Sequence, residues 1–114
     1  MDKIRKIIFY KSYFKEFYVT QKKEVRNKIN YVLHIIESQR IIPLKFFRLI
    51  ENTNGIYEIQ IEFENNIYRI FCCMDTGQLI VLFQGFQKKS QKTPKNEIKR
   101  AMALRKEYIE NKNK

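Results

Sequence analysis

Arg69 is the only cation in residues 67–74, a stretch otherwise made of Ile, Tyr, Phe, Cys and Met. A strand holds such a side chain rigidly, and the planar guanidinium fork suits a phosphate group. The same arginine, facing Glu62 across a hairpin, also reads as a cross-strand ion pair worth about 0.2–1 kcal/mol. A second basic cluster, Lys88-Lys89-Ser90-Gln91-Lys92-Thr93, follows the next apolar stretch and precedes a helix start at Thr93-Pro94. Three lysines, two hydroxyls and the free N–H groups of a helix N-terminus form an anion site, or simply a solvated loop. The glycines of a P-loop are missing. Glu58 and Glu62 are candidate acid–base carboxylates, or solvated groups on a half-exposed strand. His34 is the only histidine and lies beside Leu33 and Ile35. Neither a histidine pair for ribonuclease-type catalysis nor a Ser-His-Asp triad can be built around it. Cys72 and Cys73 are neighbours and point to opposite faces of a strand, which excludes a mutual disulfide. With one histidine they are too few for a structural zinc site, so neither metal nor cofactor is expected.

These groups need a scaffold. Residues 4–10 read as a strand. Ser12 caps a short helix carrying Phe14, Phe17 and Tyr18, and Thr20 caps a longer one. In that second helix Val25, Ile29, Val32, Leu33 and Ile36 recur at helical spacing to about Arg40, ahead of Pro43. Residues 46–50 form a short strand and Asn54-Gly55 a turn. From 56 to 64 the alternation puts Tyr57, Ile59, Ile61 and Phe63 on one face, with Glu58, Gln60, Glu62 and Glu64 on the other. Asn65-Asn66 is the expected two-residue hairpin turn into a strand at 67–74. Residues 75–78 turn the chain into a third strand, 79–86. This register aligns Glu62, Arg69 and Gln84 in one row on the outer face. Phe71 and Phe86 flank that row, to stack on a base or to lie under a last helix. Tyr68 belongs to the core. The last helix starts with Thr93 as cap and Pro94 in its first turn. It runs to about Ile109 with Ile98, Ala101, Met102, Tyr108 and Ile109 on one stripe, and residues 111–114 fray.

The chain has 114 residues, enough for one domain spanning 1–114. Its 44% apolar content supports a packed core, and 3 Gly with 2 Pro exclude collagen-like or low-complexity architecture. The net charge is +11, unevenly placed. Residues 1–50 carry 12 basic and 4 acidic groups, residues 51–75 carry 1 and 5, and residues 87–114 carry 10 and 3. Two basic flanks around an acidic hairpin point to a polyanionic partner, nucleic acid first, ahead of an anionic membrane surface or an acidic protein. The first ten residues show no signal-peptide pattern, and no apolar run approaches the ~20 residues of a membrane span. Two reduced thiols suit the cytosol, and a cytoplasmic protein is expected.

The segments Tyr57-Glu58-Ile59, Tyr68-Arg69-Ile70-Phe71 and Val81-Leu82-Phe83-Gln84-Gly85-Phe86-Gln87-Lys88-Lys89 resemble the RelE/ParE superfamily of toxins, as do Gln91-Lys92-Thr93-Pro94 and Glu97-Ile98 with Ala101. The phage-derived, HigB-like branch is the most similar. The resemblance implies an α+β, RelE-like fold: N-terminal helices packed on one face of a twisted antiparallel sheet, with a C-terminal helix. It implies a metal-independent endoribonuclease that cleaves mRNA on the ribosome and is neutralised by a cognate antitoxin. In that chemistry an RNA 2′-hydroxyl attacks the adjacent phosphate. Basic side chains stabilise the phosphorane and one group accepts the 2′ proton, so positioning and charge stabilisation do much of the work. By this resemblance Arg69, Lys88 and Lys89 are the catalytic cations, and Gln60, Gln84, Lys92, Thr93 and Lys95 contact RNA. Gln84 sits where many relatives have histidine, and Gln60 where many have the arginine of Tyr-Glu-x-Arg. Neither glutamine accepts a proton near neutral pH. Two other functions remain open: a gyrase-directed toxin, as in the other branch of the superfamily, and a non-enzymatic nucleic-acid binder.

Overall fold

Strict alternation along residues 56–63 fixes a strand with two unlike faces, and the rest of the molecule is arranged about it. The structure, a computed structural model, describes residues 3–89, 92 and 94–114. In chain order it consists of β1 (Lys6–Phe9), α1 (Tyr13–Val19), α2 (Lys23–Ser38), β2 (Phe47–Leu49), β3 (Ile56–Phe63), β4 (Asn66–Asp75), β5 (Leu79–Lys88) and α3 (Lys95–Lys112). The five strands form one sheet in the order β1-β5-β4-β3-β2. The architecture is α+β, with one departure from the expected antiparallel sheet. β1 pairs parallel to β5, with Ile7 beside Ile80 and Phe9 beside Leu82. Everything from α1 to β4 lies between these strands in sequence, ample chain for the crossover that parallel pairing requires.

The odd-numbered residues Ile59 and Ile61 of β3 enter a core with Tyr68, Ile70 and Cys72 of β4 and the buried sides of α1 and α2. Phe14 and Phe17 supply α1's share, and Val25, Ile29, Val32 and Ile36 supply α2's. The helices do not all share this face. α3 covers the opposite one, setting Ala101 and Leu104 against Ile56, Phe71, Cys73, Val81 and Phe83. The central strand β4 is therefore buried on both sides from Tyr68 to Cys73. Cys72 and Cys73 are free thiols in opposite cores. Burial raises both thiol pKa values, that of Cys73 to about 11.

Several local expectations shift. Ser12 is the N-cap residue of α1, its hydroxyl donating to the Glu16 carboxylate. Thr20 ends α1 rather than starting α2, and its hydroxyl donates to the Phe17 carbonyl. Lys22 caps α2, which stops at Ser38. Pro94 is itself the cap residue of α3, which continues through Lys112, past the expected fraying point. Thr93, the expected cap, lies outside the described residues, as do Ser90 and Gln91.

The β3–β4 turn is Glu64-Asn65, both at positive φ (47° and 67°), not Asn65-Asn66. This is the backbone of a two-residue turn that follows the sheet twist, and Asn66 becomes a paired strand residue opposite Phe63. The same side chains share a face, but their partners move by two residues. Between β4 and β5 the register shifts as well: Ile70 pairs with Gly85, yet Cys72 pairs with Leu82. Phe71 is thus opposed by both Phe83 and Gln84, a bulge that turns these two consecutive side chains toward α3. Gly85 follows, pointing at α1. A Cβ there would lie on the Phe17 ring.

Candidate nucleic-acid interface

α3 covers only part of its face of the sheet. Three rows of side chains cross β3, β4 and β5 there, the first of them reaching under the helix at Phe71. Glu58 lies beside Phe71, Gln60 beside Arg69 and Phe86, and Glu62 beside Ile67 and Lys88. β2 adds Arg48 next to Glu58. The expected row of Glu62, Arg69 and Gln84 does not form, because the β3–β4 turn falls one residue earlier, and because Asp75 pairs with Leu79 and the bulge adds a residue to β5. Arg69 faces Gln60 and Phe86 instead.

The polar groups make one chain of contacts. Arg48 Nε donates to Glu58 Oε1 at 3.2 Å. The other oxygen of Glu58 lies 3.5 Å from Arg69 Nε. Arg69 Nη1 donates to Gln60 Oε1. Gln60 Nε2 in turn donates to Glu62 Oε1 at 2.7 Å. The ion pair of Arg69 is therefore made with Glu58, not Glu62.

It is also buried. Arg69 is 3% exposed and Glu58 7%, so the half-exposed carboxylate expected at Glu58 is not what the fold contains. Among the described residues, Arg69 Nε and Glu58 Oε2 have no hydrogen-bond partner, only each other's charge. Burial lowers the Arg69 pKa from its ordinary value, while the Glu58 charge opposes that shift. Lys88, at the end of β5 on the same face, is also lowered, first by desolvation and then by repulsion from Arg69. Arg69 and Lys88 thus place two cations on one face, with the Glu58 carboxylate already paired to the first.

The other predicted site residues are dispersed. Gln84 shares the face but is buried. Its Nε2 donates to the Glu97 carbonyl at 2.8 Å and approaches the Glu97 carboxylate at 3.3 Å. It ties the first turns of α3 to the bulge and does not point into the open end. Lys89 and Lys92 are exposed, as is Lys95, the first residue of α3. Thr93 is outside the described residues. Phe71 and Phe86 meet edge to face with ring centroids 5.3 Å apart and pack with the α3 core. His34 is exposed on α2.

Sequence reading missed Arg48. Its signal was present: in a strand at 46–50, Arg48 is the one charged residue between Phe47 and Leu49. Only the β2–β3 register shows that it meets Glu58. A small cleft of about 130 Å³ adjoins the cluster, lined by Lys28, Lys45, Phe46, Gln60 and Glu62. It brings two more lysines near the glutamine that holds Arg69. The described residues contain no group of three or more His, Cys, Asp or Glu able to hold a metal ion, and no helix long and apolar enough to cross a membrane.

No curated protein matches the chain. The model of the phage-derived Gp49-like protein family (DUF891) matches residues 16–106, a span that runs from α1 through the Arg69 cluster into α3. The chain therefore belongs to the phage-derived Gp49-like family, a RelE/ParE-like toxin family of toxin–antitoxin systems.

Proposed function

We propose that this chain is a single-domain toxin with a RelE-like arrangement, of the HigB-like branch, that cleaves mRNA on the ribosome without a metal ion. The observation that carries the reading is that Arg69 and Lys88 lie on one face of the sheet, on the adjacent strands β4 and β5, away from the Ala101 and Leu104 contact, in a chain of this family. The phosphate to be cleaved sits against that end. The 2′-hydroxyl oxygen bonds to phosphorus as it loses its proton, the P–O5′ bond breaks as the 5′ oxygen takes a proton from the Lys88 ammonium or from water, and the products are a 2′,3′-cyclic phosphate and a 5′-hydroxyl. Arg69 and Lys88 stabilise the added negative charge, which in comparable sites is worth about 2.7–4 kcal/mol per donor. Lys89, Lys92 and Lys95 extend the basic surface for RNA beyond the site, and Thr93 is an RNA contact on the resemblance alone. Gln60 and Gln84 cannot take the 2′ proton. Among the described residues, Glu58 and Glu62 are carboxylates next to Arg69 and Gln60 that can take it.

The partners of this reading are the ribosome, its mRNA and a cognate antitoxin, and its setting is the cytoplasm. The basic flanks dock on ribosomal RNA, so affinity falls steeply with salt. The acidic or amphipathic segment of an antitoxin lies over the same basic surface. Purified protein added to translating ribosomes with a reporter mRNA should yield cuts at codons. Arg69→Lys, which retains charge but loses the fork, should cut far less. Intact mRNA at every protein concentration sinks the nuclease reading. A second reading, a toxin acting on gyrase or on nucleic acid without cleavage, draws on Gln84. The residue at the family's histidine position is buried and engaged with α3. Inhibition of gyrase supercoiling without mRNA cleavage would establish it.

A further inference from the structure

Arg69 presents a difficulty for any anion-binding role. It is almost fully buried, and the anion already beside it is the Glu58 carboxylate. That carboxylate sits between two guanidiniums, one oxygen toward Arg48 Nε at 3.2 Å and the other toward Arg69 Nε at 3.5 Å. The two sides are unequal. The Arg48 side is a hydrogen bond at a side chain that is 53% exposed. The Arg69 side is a buried ion pair lacking hydrogen-bond geometry, with a donor and an acceptor unsatisfied among the described residues. Unsatisfied buried polar atoms are costly, and a pair of them marks an arrangement that another partner can improve. A phosphodiester has one negative charge shared by two non-bridging oxygens, each open to N–H donors of a guanidinium.

We infer that Glu58 holds, in the free protein, the place of an RNA phosphate between Arg48 and Arg69, and that Arg48 of β2 is a phosphate ligand of the site. This deepens the reading of the chain as an RNA-directed toxin and rests on it. When RNA binds, the Glu58 carboxylate gives way, and the phosphate takes up the two guanidiniums with Lys88 alongside. Arg48 reaches the site from the neighbouring strand, next to the row in which Gln60 brings no charge. Glu58 thereby serves two purposes. It keeps Arg69 charged and aligned inside the sheet, and it competes with weak anions for the cations.

A 2′-O-methyl RNA hexanucleotide, single-stranded and uncleavable, is the probe, with binding followed by fluorescence anisotropy across a salt series. Arg48→Ala should weaken binding about tenfold and reduce the slope of log affinity against log salt by ~0.7, the loss of one phosphate contact on a single strand. Arg48→Lys should keep the parent slope while binding more weakly, because a point charge cannot fork. Glu58→Gln should bind severalfold more tightly than the parent, its competing charge gone. Arg48 is half exposed, so Arg48→Ala remains interpretable even where Glu58→Gln fails to fold. The inference is overturned if Arg48→Ala binds within twofold of the parent with an unchanged slope, or if the parent does not bind the probe at all. It is also overturned if a folded Glu58→Gln binds more weakly than the parent. The ribosome assay separates this from the wider reading. A parent that binds the probe in an Arg48-dependent way but never cuts mRNA keeps the phosphate site and loses the nuclease. A parent that cuts mRNA with kcat and KM unchanged in Arg48→Ala keeps the nuclease and loses the Arg48 site.

Discussion

On the face of the sheet that carries α3, strands β3, β4 and β5 pass through two environments. Under the helix the rows are Ile56 with Cys73, then Phe71 against Phe83, closed over by Ala101 and Leu104. Two to five residues away along the same strands stand Glu58, Gln60, Arg69 and Lys88. The backbone is continuous, the hydrogen-bond ladder is shared, and Arg69 and Phe71 are two positions apart on one strand. Both are almost completely buried. What differs is the source of the burial energy. The first end gains from removing apolar area from water, about 1.5–3 kcal/mol for a large side chain. The second end loses solvation on burying a guanidinium and a carboxylate, and recovers it only through their mutual pairing. Stability is made at one end, and the other end consumes part of it to hold charges rigidly for an anion.

The largest effect should therefore come from the dry end. Phe83→Ala removes a fully buried ring from between β5 and α3 and should cost about 3–5 kcal/mol. Urea unfolding measures it. A loss below about 1 kcal/mol would mean that α3 is not packed on the sheet as described, and the contrast between the ends would fail.

The charged end gives the next effect. Arg69→Ala leaves Glu58 buried with only Arg48 for company, and a broken buried pair costs ~3 kcal/mol or more. This exceeds the ~1 kcal/mol of the exposed cross-strand pair that the alternation alone suggests. Arg69→Ala is thus a poor test of function, since it lowers stability and activity together. The double variant Arg69→Met, Glu58→Leu should recover most of the lost stability while remaining unable to bind the RNA probe. Failure of that recovery would show that the pair stabilises the fold beyond its desolvation cost.

The alternation along 56–63 was enough to sort side chains onto the right faces, because a two-residue period survives any even shift of register. Arg69 and Gln60 were accordingly legible on one face, whereas Lys88 lay past the strand end expected at residue 86. Their partners were not legible. The choice between Glu64-Asn65 and Asn65-Asn66 depends on which residues take positive φ, and Asn at both 65 and 66 makes the two turns locally similar. The bulge at Phe83 and Gln84 has its cause in packing. Gly85 must face Phe17 while Phe83 fills the opposite core, and only an added residue reconciles the two. Arg48 was missed for a related reason: its importance lies in a pairing, and β2 is three residues long with little pattern of its own.

Gly85 allows a sharper test of how that bulge is held. Gly85→Ala drives a methyl group into the Phe17 ring from a strand position with no freedom to move. Overpacking of this kind costs about 1–3 kcal/mol. Phe17→Leu in the same chain should relieve part of that cost, although the single Phe17→Leu change is itself destabilising. Additive losses in the double variant would show that the ring and the glycine do not meet.

The smallest expected effect concerns how α3 is fastened at the dry end, and it separates the two ends by pH. Tyr108 donates its hydroxyl to Asp75 Oδ2 at 2.5 Å, and Lys112 Nζ reaches both Asp75 oxygens at 2.6 and 2.7 Å. Lys112 first, then Tyr108 and the Thr76 N–H, hold the Asp75 carboxyl well below the usual carboxylate range. Burial and the Asp75 contact push the Tyr108 hydroxyl up to about 12. A depressed carboxyl stabilises the fold fully above its unfolded value near ~3.9, and that contribution drains away as pH falls below it. A raised phenol does the opposite. Its contribution is complete below about pH 10 and is lost as pH climbs toward 12. Asp75→Asn should flatten the acid limb of the stability curve and bring the Tyr108 titration part of the way back toward 10. Tyr108→Phe should flatten only the alkaline limb associated with that hydroxyl, and leave most of the acid dependence, because Lys112 still holds Asp75. Urea midpoints collected from pH 3 to 11, with ultraviolet titration of the tyrosines, read both. Curves that stay parallel to the parent's for both variants would mean that α3 is held by Ala101, Leu104 and their neighbours alone, and that the dry end owes nothing to charge.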